Sequence, residues 1–140
     1  MLAPIYDNGA SFSTKLSDEQ ISHLLQDEQK LISSATNTII GYELDGKILH
    51  FRKLLNLQDK SLKQSIERNV PLVKEKWQEI VNLISEIPNE YDGIKIISEE
   101  RKEFYIKGMH IRMEHQMTPA FEQIQKMEQN LEQMMMSGNI

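Results

Sequence analysis

Reading apolar against polar positions along the chain, the first firm signal lies at residues 16–21. Ser17 is placed as a helix N-cap, Gln20 stands three residues on to close a capping box, and Leu16 is positioned to staple to Ile21. Ile21, Leu24 and Leu25 then make a buried stripe. The pattern weakens from Gln29, and Ser33, Ser34, Thr36, Asn37 and Thr38 read as a loop. Two β-prone stretches, residues 39–44 and 47–50, flank Asp45-Gly46, so the pattern allows a small hairpin there. Asp59 fits the N-cap of a helix carrying Leu62, Ile66 and Val70 at i, i+4 and i+8. The clearest helix is expected to follow Pro71, in a first turn where the missing N–H costs nothing. Val73, Trp77, Ile80, Ile84 and Ile87 make its narrow apolar seam, and Pro88 ends it.

After a turn at residues 89–93 and an apolar stretch at 94–97, Ser98 caps a further helix. Its first turn holds Glu99 and Glu100, matching the positive end of the helix dipole. This helix carries Phe104, Tyr105, Met109, Met113 and Met117. Thr118-Pro119 reads as a restart, N-cap then first-turn proline. Phe121, Ile124, Met127 or its flanking Glu128, Leu131 and Met134 or Met135 continue the stripe to Ser137-Gly138. The expected architecture is one mainly α domain over residues 1–140, with a short N-terminal strand and a small hairpin. Residues 1–15 form its loop-bearing front and residues 16–140 its helical part.

Composition agrees with a folded, water-soluble domain: 140 residues, 39% hydrophobic and 26% charged. A net charge of −5 argues against a phosphate-backbone binder, which needs clustered cations, so no nucleic-acid partner is expected. The absence of cysteine excludes disulfides, thiolate metal sites and a cysteine nucleophile. Together with the lack of a leader-like start this makes the cytoplasm the expected location. No apolar run approaches the roughly 20 residues of a membrane-spanning helix, and no membrane partner is expected.

Asp7 is the leading candidate for chemistry. Residues 1–6 read as a buried strand needing a partner, an opening that suggests a piece cut from something longer. A carboxylate at the end of such a strand, in the turn Asp7-Asn8-Gly9, is well placed to hold a divalent ion against phosphate oxygens. Taken alone, the tripeptide is more simply a turn. The wider string Leu2-Ala3-Pro4-Ile5-Tyr6-Asp7-Asn8-Gly9-Ala10-Ser11 closely resembles a segment of HipA-like Ser/Thr kinases, in which such an aspartate chelates Mg²⁺ as the DFG aspartate of protein kinases does. Tyr42-Glu43-Leu44-Asp45-Gly46-Lys47, followed by His50-Phe51 and Leu54-Leu55, resembles the same family more loosely. The resemblance implies a helical fragment of a kinase C-lobe with Asp7 as metal ligand. It also implies an intact enzyme that uses Mg²⁺ and ATP to phosphorylate a protein hydroxyl and is restrained by an antitoxin-like partner.

The kinase groups that should precede the metal aspartate are a phosphate-covering loop, a strand lysine, a catalytic aspartate and an asparagine ligand. Only six residues precede Asp7 here. No catalytic residue is therefore assigned, no turnover is expected of this chain alone, and neither Mg²⁺ nor ATP is expected to bind it tightly. The expected partners are the missing kinase portion, an antitoxin-like protein or a second copy of the chain.

The alternative is a helical protein-protein interaction module without catalysis. It would use Met109, Met113, Met117, Met127, Met134, Met135 and Met136 as an adaptable surface, where the simpler role of such a stripe is core. Of the four histidines, His23, His50, His110 and His115, His110 has Glu114 at i+4. That spacing permits a weak surface metal site, against the simpler reading of solvated histidines. Ser11 and Ser13 stand where an activation segment would follow Asp7, as phosphorylation sites or as plain loop serines.

Overall fold

In a computed structural model of the chain, residues 15–37, 39–44, 46–50, 53 and 59–138 are described. Helix α1 (Asp18–Leu25) starts at the expected capping box. The Ser17 hydroxyl accepts the Gln20 N–H at 3.2 Å and the Gln20 side chain accepts the Ser17 N–H at 2.8 Å. Ile21 is fully buried, with Leu16 packed beside it as the staple requires.

The serines expected to form a loop lie instead in helix α2 (Glu28–Thr36). Its start is set by Asp27, whose carboxylate accepts the Lys30 N–H at 3.0 Å. The Thr36 hydroxyl bonds back to the Ile32 carbonyl at 2.8 Å, so the hydroxyl side chains satisfy the helix rather than break it. Leu31 and Ala35, one turn apart, are buried and hold the helix down. The small hairpin follows. Strand β1 (Ile39–Leu44) pairs antiparallel with β2 (Lys47–His50), Leu44 opposite Lys47, around Gly46 at φ 73°.

Helix α3 (Lys60–Glu75) begins at Asp59, which accepts the Leu62 N–H at 2.8 Å. Pro71 lies inside it, not at the start of a new helix. It removes one hydrogen bond, to the Glu67 carbonyl. Burial of Ile66 and Val70 in the turns before it offsets that loss, and the break falls later, at Lys76. Helix α4 (Trp77–Glu86) then runs to Ile87, extended at ψ 124° ahead of Pro88.

Residues 89–97 fold into a ribbon of β3 (Glu90–Tyr91) and β4 (Ile94–Lys95). Asp92 and Gly93 have φ of 52° and 76°, the positive values a two-residue type I′ turn needs.

Helix α5 (Glu99–Arg112) is capped by Ser98, which accepts the Arg101 N–H at 3.2 Å. No restart follows at Thr118. The chain passes through a π-helical segment, Met113–Met117, directly into α6 (Thr118–Met136), and Thr118 itself is helical. Pro119 explains the widening. It lacks an N–H, and its ring crowds the His115 carbonyl, so an α-helical turn cannot pass unaltered. A π turn, with the Thr118 N–H reaching the Met113 carbonyl, carries the helix across.

The fold is mainly helical, and its buried side chains form two clusters. Ile21, Leu31 and Phe104 join α1, α2 and α5; Ile66, Val70 and Ile124 join α3 and α6. Among the described residues no helix is long and apolar enough to cross a membrane.

Candidate functional site

Asp7 lies outside the described residues, as do Ser11 and Ser13, and so does Asp45 of the second family-like string. Among the described residues no three of His, Cys, Asp or Glu gather as a metal site would require. His23 is exposed on α1. His110 and Glu114 do come together, on one wall of a cleft, with His115 beside them.

What the structure builds instead is a cleft around α5. The polar side chains of α5 and of the π segment position its neighbours by satisfying helix-end carbonyls, which have no partner within their own helix. Arg112 Nε donates to the Ala35 carbonyl and Gln116 Nε2 to the Thr36 carbonyl, both at 2.9 Å, tying down the C-terminus of α2. Burial holds the Arg112 pKa below its usual value, yet the cation faces the negative end of the α2 dipole. Lys102, itself buried, donates to the Ser85 carbonyl of α4 at 3.2 Å and to Glu99 at 2.7 Å. That ammonium, with help from Asn89, holds the Glu99 carboxyl below the usual range. Arg101 reaches the Asp18 carboxylate at 2.6 Å and the Leu16 carbonyl at 2.8 Å, fixing the start of α1.

The cleft has a volume of about 700 Å³ and lies between the α1–α2 pair, α5 with its π segment, and the first residue of α4. Its floor is apolar, with Leu31 buried and Leu25, Ile32, Ile106 and Ile111 half-buried. Trp77 walls it, its ring 5.6 Å from that of His110 and tilted 40°. Trp77, His110 and Glu114 also line an adjoining cleft of about 240 Å³, together with Lys74. On the rim are Glu28, Lys107, Glu114 and His115, all exposed. Lys107 is bound to Glu103 at 2.6 Å, and among the described residues Glu28 and Glu114 have no ion pair.

At the π segment two buried polar atoms, Gln116 Oε1 and Thr118 Oγ1, have no hydrogen-bond partner among the described residues. A second surface lies at the far end of α6. Leu131 is 53% exposed, Met134 49% and Met135 63%, although they continue the stripe that buries Ile124.

The sequence pattern pointed to His110 and Glu114 but not to Glu28 or to Trp77 as a cleft wall. It read Trp77 only as a packing residue of its own helix. Glu28 lies more than 80 positions before His115 and they meet only through packing, so no local spacing signals them. No protein-family model, no curated protein and no solved structure matches the chain.

Proposed function

We propose that the chain is the helical portion of a HipA-like kinase lobe and serves it as a protein-binding element. The kinship is supported by the string at residues 2–11, with Asp7 as the Mg²⁺ ligand of the complete, ATP-using enzyme, and more loosely by residues 42–47. The binding role is supported by one observation above others. Residues 126–138 of α6 and its end are all exposed, yet Met127, Leu131 and Met134 keep the apolar spacing of its packed first half. A contiguous apolar stripe left open to water marks a surface that another protein covers, and methionine suits it because thioether side chains adapt to irregular partners.

A second copy of the chain is the simplest occupant, alongside the rest of the kinase and an antitoxin-like protein. Sedimentation over a range of concentrations, with Leu131→Glu run beside the unaltered chain, tests the reading. The expected result is association of the unaltered chain and a monomeric Leu131→Glu variant of unchanged helical circular dichroism. A chain that stays monomeric at high micromolar concentration, indifferent to the substitution, overturns it. Transfer of labelled phosphate from ATP and Mg²⁺ to a protein acceptor, dependent on Asp7, would overturn instead the expectation that the chain has no turnover of its own.

A further inference from the structure

The cleft beside Trp77 is a second surface, separate from the end of α6, and its chemistry selects a different partner. The stretch of α5 and the π segment that lines it, Ile106 to His115, is about 14 Å long at 1.5 Å per residue. That length matches two to three turns of a helix and exceeds what a single side chain fills. The floor offers half-buried aliphatic side chains from α1, α2 and α5, the apolar lining that helix-in-groove recognition needs.

The rim adds a sign. Lys107 is paired with Glu103, and among the described residues Glu28 and Glu114 have no ion pair; set against the unpaired Lys74 of the adjoining cleft, they leave the rim with a net negative charge. The free end of α6 from a second copy is a poor fit to that rim. Its own charges are Glu128 and Glu132 against Lys126, and like charges placed opposite one another select against a partner. The net charge of −5 works in the same direction and favours a basic partner at long range.

We propose that this cleft docks a basic amphipathic helix of a partner protein, its apolar face on Leu25, Ile32, Ile106 and Ile111 and its lysine or arginine side chains on Glu28 and Glu114. Trp77 is the single tryptophan of the chain and stands in the cleft wall, so its emission reports occupancy directly.

The test uses two synthetic helical peptides with the same leucine face, one with lysine and arginine at the polar positions and one with glutamate. Each is titrated into the full chain and followed by Trp77 fluorescence and by calorimetry. The basic peptide is expected to saturate, to shift the Trp77 emission and to bind at least tenfold more tightly than the acidic one. Both Glu28 and Glu114 are exposed, so Glu28→Gln with Glu114→Gln should leave the fold intact and weaken the basic peptide about tenfold, while Glu19→Gln on the exposed face of α1 changes nothing. Equal affinity for the two peptides, or a double variant that binds as well as the unaltered chain, overturns the charge assignment. Saturable binding that leaves Trp77 emission unchanged overturns the location. Loss of peptide binding in a Leu131→Glu variant would show the peptides sitting on α6 instead, which sinks this cleft and leaves the α6 reading standing.

Discussion

Around Ile21, Leu31 and Phe104, apolar contact is framed by directional bonds between segments far apart in sequence: Arg101 to Asp18 and Leu16, Arg112 to Ala35, Gln116 to Thr36. Around Ile66, Val70 and Ile124 the apolar contact is similar in kind, but the bonds across the α3–α6 seam run between side chains, Gln125 to Glu67 at 3.4 Å and Glu128 to Glu67, and hold no helix-end carbonyl. The first cluster is therefore located as well as buried, since a helix end tied by its last carbonyls cannot rotate or slide without breaking them. The second is a seam of side chains that α6 carries on past the start of α3. Located packing defines a cleft of fixed shape, as beside Trp77; a seam that overruns its partner leaves surface for something else to cover.

The largest expected effect separates the two clusters by their ability to relax. Ile21→Ala should cost about 4 kcal/mol, near the top of the range for a large-to-small core change, because tied helices cannot close over the cavity. Ile66→Ala should cost about 2–3 kcal/mol, since α3 and α6 are freer to approach one another. Urea unfolding followed by circular dichroism measures both. A larger loss at Ile66 than at Ile21 would break the comparison.

A smaller effect sharpens it. Arg101 carries burial that opposes its charge, which the Tyr105 hydroxyl and the Asp18 carboxylate more than offset, so its pKa lies above the usual value. Arg101→Ala removes the ties to Asp18 and Leu16 and should cost about 1–2 kcal/mol. Amide exchange should show the loss concentrated in α1, with α3 and α6 unaffected. Uniform loss of protection would mean that the ties do not localise α1.

These ties also explain how far the fold could be read from the sequence. Ser17, Asp59 and Ser98 announced their helices because a cap acts on residues two or three places away, and Leu62, Ile66 and Val70 showed their buried face by spacing. Helix α5 obscured its role because it is surrounded by neighbours: Lys102, Arg112 and Gln116 serve helix ends up to 80 residues distant, and a pattern of apolar against polar positions counts such residues as solvent-facing. Pro71 and Pro119 mislead for a related reason. In a sequence a proline marks a helix boundary, whereas buried residues on α3 and the π turn before α6 keep each helix running past it. The cleft beside Trp77 was legible only at His110 and Glu114, which share a helical face. Asp7 was legible as a string and stands outside the described residues.

The smallest effect sets the two regions against each other by pH. Asp27, at the start of α2, is held below the usual carboxylate value, first by the Lys30 backbone N–H and then by the Lys30 side chain. A lowered folded pKa gives stability that is present above the unfolded value and is lost as pH falls through the folded one. Glu128 is the opposite case. The charge of Glu67 across the α3–α6 seam raises its pKa most, burial and a hydrogen bond to Glu67 add to this, and Lys63 opposes them. For a carboxyl raised in the folded state, ionisation weakens folding at neutral pH, and the penalty disappears as pH falls through the raised value towards the unfolded one near 4.5. Glu128→Gln should therefore raise the melting temperature slightly at pH 7, with the gain vanishing near pH 4. Asp27→Asn should lower it at pH 7, with that loss fading only at still more acid pH. Thermal melts of both variants between pH 3 and 7 check the signs, and a Glu128→Gln variant that gains stability equally at every pH would show that Glu67 and Glu128 do not repel across the seam.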